Sequence, residues 1–325
     1  MRPIPKIFIG RFFDLYVEYG TNIIKKAVPT VVKAAKHFQK AFALFVEHIF
    51  RQNMKRSILT LITAVLMAVV SSCSTVPLTG RRQLSLVPDS QILPMSFQQY
   101  QQVMSESKLS NNQQYVTSVR TVGQRISKAV EQYMQEIGQQ DNVQGFQWEF
   151  NVIAEDQVNA WAMPGGKVAF YEGIMPITQN ETGIAVVMGH EVAHAIAKHG
   201  SERMSQQLAT QLGGQALSVA LQSKPQLTQQ LAMAAFGAGS QVGVLLPYAR
   251  DMESEADRLG LIFMARAGYD PRQAPQFWER MQAKSGGGGT PVFLSTHPHP
   301  ETRIKQLNQW MPEALKAYQQ ATGRQ

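Results

Sequence analysis

The chain has 325 residues, which is enough for one large domain or two small ones. Its single cysteine excludes an internal disulfide. The net charge of +8 does not indicate a nucleic-acid-binding protein, because residues 1–56 carry 11 Lys/Arg and 3 Asp/Glu, whereas the rest of the chain carries 20 residues of each sign.

Residues 1–53 form a basic, aromatic-rich extension that precedes a signal-peptide pattern. Because such a signal should begin the chain, we expect translation to start at Met54 and the extension to be a start-site artefact. The alternative is an amphipathic helix that lies on a membrane surface.

Residues 54–72 resemble a lipoprotein signal peptide. A short basic region is followed by an uncharged run, Ile58 to Val70, and then by Ser71-Ser72-Cys73. The run is too short to span a bilayer, which needs about 20 residues. The resemblance to a bacterial lipobox implies lipid attachment at Cys73, and Ser74 favours an outer-membrane lipoprotein that faces the periplasm. The alternative is a membrane-anchor helix with an incidental thiol.

Residues 73–90 are polar and predict a tether.

The first part of residues 91–325 predicts a helix followed by a small sheet. Apolar residues at spacings of three and four between Val116 and Ile137 indicate an amphipathic helix. Residues 146–153 alternate as in a strand, and residues 159–171 predict a hairpin around Pro164-Gly165-Gly166. The edge formed by Asn159, Ala160, Trp161 and Ala162 either accepts a peptide substrate as an added strand or is purely structural.

The sequence His190-Glu191-Val192-Ala193-His194 lies in an apolar run that predicts a buried helix. The two histidines are one turn apart on the same face, where two neutral imidazoles can share a Zn²⁺ ion. Glu191 points elsewhere and is placed to take the proton of a zinc-bound water, whose pKa the metal lowers to about 7. The alternative, an ordinary buried helix, leaves a costly unpaired carboxylate inside it.

The residues on either side of this segment predict where the helix begins and ends. Residues 180–182 are candidate caps, and Gly200 is the expected end of the helix. His199 follows His194 by five residues and is expected to point away from the metal. Residues 201–246 predict two helices around Lys224-Pro225 and are judged too polar to span a membrane.

A zinc peptidase needs a third protein ligand, and the segment Glu253-Ser-Glu-Ala-Asp257 offers one. On a helix, Glu253 and Asp257 share a face. Glu253 can ligate the metal, and Asp257 can accept the free N–H of a ligating histidine. The alternative is a solvated acidic helix start.

Four motifs in order resemble the M48 peptidase family, which includes prenyl-protein proteases, HtpX, Oma-type enzymes and periplasmic lipoproteins such as LoiP and YcaL. These are the hairpin sequence, HEVAH, Glu-Ser-Glu-Ala-Asp and the segment from Ser295 to Ile304. The resemblance implies one Zn²⁺ per chain held by His190, His194 and Glu253, with Glu191 as general base and Asp257 in support. It favours the substrate-binding interpretation of the hairpin edge, and the lipoprotein members look most similar.

The segment from Ser295 to Ile304 also contains His297 and His299, after a glycine-rich loop at residues 286–289. We expect His297 to block the open metal position or to stabilise the oxyanion; alternatively, both histidines merely cap the next helix. Arg303 either binds substrate or pairs with Glu301.

Together these features predict an α+β, mostly helical, gluzincin-type metallopeptidase domain with a small sheet beside the HEVAH helix. The expected function is cleavage of unfolded or misassembled envelope proteins. The alternative is a lipoprotein chaperone for outer-membrane proteins with secondary proteolysis. No nucleic-acid partner is expected, and the oligomeric state is not predicted.

Overall fold

The computed structural model describes residues 73–76, 79–285, 291–297 and 300–323. The predicted extension and signal peptide, the start at Met54, the loop at 286–289 and His299 lie outside these ranges. Lipid attachment at Cys73 also stays a prediction. The described residues divide into two compact units, one from residues 73–213 and 247–323 and one from residues 214–246.

Short strands alternate with helices in the first half of the chain, and helices fill the second half. The strands are β1 (Cys73–Thr75), β2 (Arg82–Leu84), β3 (Glu149–Ile153), β4 (Ala160–Met163) and β5 (Lys167–Tyr171). The helices are α1 (Asp89–Glu106), α2 (Gln113–Glu136), α3 (Met175–Thr178), α4 (Glu181–Ile196), α5 (His199–Leu221), α6 (Gln226–Ser240), α7 (Leu246–Arg266), α8 (Gln273–Ser285), α9 (Val292–Thr296) and α10 (Pro300–Thr322).

The segment predicted to be a tether is instead packed against the domain. Strands β1 and β2 pair in antiparallel register. The backbone N–H of Leu86 donates to Ser205 Oγ at 2.9 Å, and Gln83 is buried. Helix α1 then begins at Asp89. The polar composition of residues 73–90 therefore reflects buried polar contacts rather than a solvated linker.

The predicted amphipathic helix and hairpin are confirmed. Helix α2 is capped by the Asn112 side chain, and its apolar stripe is buried against the sheet. The hairpin turn uses Gly165 and Gly166, whose φ angles of 86° and 85° are easily adopted only by glycine. The three strands run in the order β3-β5-β4, parallel for the first pair and antiparallel for the second. Strand β4 is thus an edge strand within the described residues, and it packs against α4.

Helix α4 carries the HEVAH sequence and lies in the core. The Asn180 side chain caps it by accepting from Gly183 N at 3.0 Å. It is apolar on almost every side, which is the pattern of a fully buried helix. The helix ends at Ile196, earlier than the predicted end at Gly200, because Lys198 adopts a left-handed φ of 57°. His199 therefore begins the next helix in a new direction.

Helices α4 and α7 approach each other at two glycines. A Cβ atom on Gly189 would stand 2.6 Å from the Gly260 carbonyl oxygen, and one on Gly260 would stand 2.7 Å from the His190 backbone nitrogen. Both obstacles are backbone atoms, so neither can rotate away. This contact brings the HEVAH helix next to the helix that carries Glu253.

We expect Gly189→Ala to lower the free energy of unfolding by about 1–3 kcal/mol, the usual cost of overpacking a core. Denaturant unfolding of the full chain measures it. The matched control is Gly237→Ala in α6, where a Cβ meets nothing within 4 Å and alanine favours the helix by up to about 1 kcal/mol. Equal stability of Gly189→Ala and the native chain would contradict the close packing.

The described part of the second unit, residues 214–246, contains the end of α5, helix α6 and a π-helical turn at Gln241–Leu245. Phe236 and Met233 lie near Gly214. The prediction of two helices around Lys224-Pro225 is confirmed. The judgement that the segment is too polar for a membrane is not supported, because the helical stretch Gln226–Arg266, with a mean hydropathy of 1.3 over its most apolar window, is long and apolar enough to cross one by length and composition.

Taken together, the elements confirm the predicted α+β, mostly helical class and the small sheet beside the HEVAH helix.

Candidate metal centre

Four ligand atoms from three parts of the chain converge on one point. His190 and His194 project from α4, Glu253 from α7, and His297 from the residue after α9. The Nε2 atoms of the two α4 histidines are 3.0 Å apart. Each lies 3.4 Å from one oxygen of Glu253. The ligand atoms of all four residues lie within 4.8 Å of one another.

These separations fit a tetrahedral metal ion. Bonds of about 2.0–2.1 Å to zinc place tetrahedral ligand atoms roughly 3.3 Å apart. Imidazole nitrogen and carboxylate oxygen are the donors that zinc accepts in catalytic sites. The predicted ligand positions His190, His194 and Glu253 are therefore brought together in the structure, in a geometry that can hold a metal.

The electrostatics of the cluster favour an added cation. Burial holds the pKa of His194 well below its usual value, so its lone pair is free to bind a metal. Burial alone raises the pKa of Glu253, but interactions with the histidine side chains around it bring that pKa well below its usual range. Burial and the Arg303 charge lower the pKa of His190, yet hydrogen bonds to Asp257 and Glu253 raise it overall, to about 9. A metal ion must therefore displace a proton from His190.

Asp257 and Arg303 support the cluster from the side of His190. Asp257 Oδ1 lies 3.0 Å from His190 Nδ1, the contact expected from the sequence. Arg303 donates to both carboxylate oxygens of Asp257, at 2.8 and 2.5 Å, and to Glu253 at 3.2 Å. Its guanidinium lies 3.6 Å from the centre of the Trp278 ring. Neither alternative considered for Arg303 describes this buried role, and nothing in the sequence spacing indicated it.

Glu191 lies beside the four ligand atoms without joining them. Its Oε1 atom is buried and has no hydrogen-bond partner among the described residues. His297 Nε2 lies 3.4 Å from this oxygen. Burial raises the pKa of Glu191, although the charges of His297 and His190 oppose the rise. A buried carboxylate oxygen without a partner is costly, which indicates that a polar group occupies this space in the working protein.

His297 occupies the fourth corner of the cluster. Its Nδ1 atom is 3.1 Å from His190 Nε2 and 2.7 Å from Glu253 Oε2. The side chain is nearly buried, against Phe293 on the preceding turn. This position is next to the other three ligand atoms, and the role expected for His297, either to block the open metal position or to stabilise the oxyanion, stays a prediction.

The predicted substrate edge lies on the same side of α4 as Glu191. The backbone of Ala162 is near enough to lower the pKa of Glu191. Ala160, Trp161 and Ala162 belong to edge strand β4, and the Asn159 carbonyl is already used, accepting from Tyr171 N at 3.0 Å. Binding of a peptide along this strand stays a prediction.

A second polar cluster, which no sequence pattern indicates, lies behind His194. His199 contacts His194 through its Nδ1 atom, at 2.8 Å from His194 Nδ1. His199 is not among the four converging side chains of the described residues. The expectation that it points off the ligand face assumed an unbroken helix, and its contact with His194 was not predicted.

Comparison with known proteins gives these features a family. Residues 123–311 match the model of peptidase family M48. "Mitochondrial metalloendopeptidase OMA1" of Schizosaccharomyces pombe is 34% identical over 74% of this chain and 66% of its own length. "Metalloendopeptidase OMA1, mitochondrial" of Bos taurus is 31% identical over 74% and 46%. "Beta-barrel assembly-enhancing protease" of Escherichia coli is 27% identical over 82% and 55%. The chain thus spans about half to two thirds of these relatives.

The comparisons correct one prediction and confirm another. The predicted location, as a lipoprotein of a bacterial outer membrane facing the periplasm, is wrong, because relatives from yeast and cattle are named as mitochondrial proteins. The expected resemblance to metallopeptidases is confirmed, since the family model matches more than half of the chain and includes the HEVAH helix and Glu253. This chain belongs to peptidase family M48.

Proposed function

We propose that this protein is a zinc-dependent endopeptidase that cleaves internal bonds of unfolded or misassembled polypeptides. The observation that carries the proposal is the convergence of three imidazoles and the Glu253 carboxylate on one point, beside the unpartnered Glu191 oxygen. The relatives that are named as metalloendopeptidases support it.

In this proposal His190, His194 and Glu253 hold the zinc ion. Bound there, zinc would supply Lewis acidity for the scissile carbonyl and for activation of the attacking water. Asp257 orients His190 by accepting its Nδ1 proton, which leaves the Nε2 lone pair for the metal. Arg303 keeps Asp257 ionised, since its charge offsets the burial that raises the Asp257 pKa, and the net pKa of that carboxyl is lowered.

Glu191 is the general base. Its free oxygen is available for a proton from the attacking water, and it can pass that proton to the leaving amine. Because burial raises its pKa, Glu191 holds a proton more readily than a solvated carboxylate does. It lies on the α4 face next to strand β4, so a peptide added to that edge runs past it. An extended segment can bind in this way, which favours unfolded substrates.

His297 keeps the site latent in the arrangement described here. Its ring fills the fourth corner of the cluster, where a peptide carbonyl must enter.

We expect His297→Ala to raise kcat/KM several-fold because the open metal position no longer needs to be cleared before substrate enters. Steady-state hydrolysis of a quenched fluorescent peptide measures it. Thr296→Ala, the exposed neighbour, is the matched control and is expected to leave the rate unchanged. A fall in activity for His297→Ala would instead assign this ring to the oxyanion, and an unchanged rate would remove it from the site.

Incubation of the purified full chain with unfolded casein tests the proposed function. We expect cleavage that a zinc chelator abolishes and that stoichiometric zinc restores. Native lysozyme, which offers no extended segment, is expected to resist. Casein cleavage that continues unchanged in the chelator would contradict a metal-dependent mechanism.

A second candidate, assistance in protein assembly, is favoured by the name of the Escherichia coli relative. Complementation of a deletion strain with Glu191→Gln separates the two, because this variant keeps the fold and loses the general base. Full rescue would favour the assembly role, and failure to rescue would favour proteolysis.

A further inference from the structure

The two histidines of the HEVAH helix are held in different ways. Asp257 contacts the Nδ1 atom of His190 directly, at 3.0 Å. The Nδ1 atom of His194 instead meets another imidazole, His199, at 2.8 Å. The other ring nitrogen of His199 lies 2.9 Å from Glu255 Oε2. A chain of three side chains therefore extends from the metal cluster to a carboxylate that contacts none of its members.

Only one arrangement of protons satisfies this series of hydrogen bonds between side chains. A metal bound at Nε2 of His194 requires the proton of that neutral ring to be on Nδ1. His199 Nδ1 must then accept, which places the His199 proton on Nε2. That N–H donates to Glu255, which as a carboxylate can only accept. Glu255 thus sets the proton position of His199, and His199 sets that of His194.

Glu255 is fixed in turn by the first hairpin of the described chain. Arg81, which directly precedes β2, donates to Glu255 Oε2 at 2.9 Å, and the Thr79 hydroxyl donates to the other oxygen. The same guanidinium makes two bonds to Glu202 on α5, at 2.9 and 2.7 Å. The side chains of Glu202 and Glu255 are 0% and 5% exposed, so Arg81 compensates two buried carboxylates.

We propose that His199 and Arg81 are positioning residues for the metal ligand His194, and that the β1–β2 hairpin is a working part of the metal centre. The inference rests on the proposed zinc site. Arg81 lies upstream of the region matched by the family model, which begins at residue 123. Because Arg81 fixes Glu255, and Glu255 fixes His199, the hairpin adds to the zinc affinity although it supplies no ligand.

Zinc affinity of the full chain, measured by competition with a chromophoric chelator, tests the proposal. We expect His199→Leu to weaken zinc binding about 10- to 100-fold, as for other residues that orient a ligand. His199→Asn keeps an acceptor near His194 Nδ1 and is expected to recover most of the loss. Rescue by Asn separates proton positioning from simple packing, because Leu fills the space equally well.

Arg81→Met is expected to weaken zinc binding in the same direction, and Arg81→Lys to recover part of it. The matched control is Arg258→Met, which breaks an exposed ion pair between Arg258 and Glu313 and should leave zinc affinity unchanged. If Arg81→Met does not fold, nitrogen-15 NMR of the native zinc-loaded chain tests the proposal instead, because it reports which ring nitrogen of each histidine carries the proton. The proposal requires the His194 proton on Nδ1 and the His199 proton on Nε2.

Two outcomes would overturn this inference alone: native zinc affinity in His199→Leu, or a His199 proton found on Nδ1. Absence of zinc binding by the native chain would instead refute the proposed function on which the inference rests.

Discussion

Replacement of Glu191 by glutamine is expected to lower kcat/KM by roughly 10²- to 10⁴-fold, the usual contribution of a positioned general base. Glutamine has the same shape but cannot take a proton from water. Because Glu191 is not among the converging ligand atoms, the variant should bind one equivalent of metal as the native chain does. Peptide hydrolysis and metal content, measured on the same preparation, check both parts.

Glu181→Gln is the matched control for this variant. Glu181 lies in the first turn of the same helix and is exposed, so its loss should leave the rate unchanged. Activity of Glu191→Gln close to that of the native chain would exclude Glu191 as the base. Loss of metal in the same variant would show that the carboxylate is a ligand instead.

Replacement of Arg303 by alanine is expected to lower the free energy of unfolding by about 3–5 kcal/mol, because it leaves a buried carboxylate without compensation. Arg303 is 3% exposed and is the guanidinium partner of Asp257 and Glu253. It also packs on the Trp278 ring. Denaturant unfolding of the metal-free chain measures the change, since bound zinc would add its own stabilisation.

Arg258→Ala provides the comparison, because Arg258 pairs with Glu313 at the surface, where both side chains are more than 40% exposed. Such pairs contribute about 0–1 kcal/mol. If Arg303→Ala were no more destabilising than Arg258→Ala, the buried pair would not hold the Asp257 side of the cluster in place.

The local part of the site follows from the sequence. The periodicity of the HEVAH segment indicates a buried helix, and the four-residue spacing of the two histidines places them on one face. The same spacing puts Glu253 and Asp257 on one face of α7. Their convergence rests on Gly189 and Gly260, whose lack of side chains allows the two helices to approach.

The contacts of His199 and Arg81 could not be predicted from the sequence, because they depend on how the backbone turns between helices and strands. Lys198 takes a left-handed conformation that residue propensity does not favour, and this turn alone brings His199 back to His194. Arg81 is separated from Glu202 and Glu255 by more than a hundred residues. No periodicity links such positions, so the hairpin looked like a tether.

The location was predicted wrongly for a related reason. It rested on a short pattern of basic, apolar and small residues that ends at Cys73, whereas the comparisons extend over most of the chain. The domain as a whole is similar to proteins named as mitochondrial.

The most direct test of the metal centre is elemental analysis of the purified full chain and of Glu253→Ala. We predict one zinc per native chain and a large loss of zinc in the variant, because Glu253 supplies the ligand that joins α7 to the two histidines of α4. A native chain without stoichiometric metal, or a variant that keeps its zinc undiminished, would contradict the assignment.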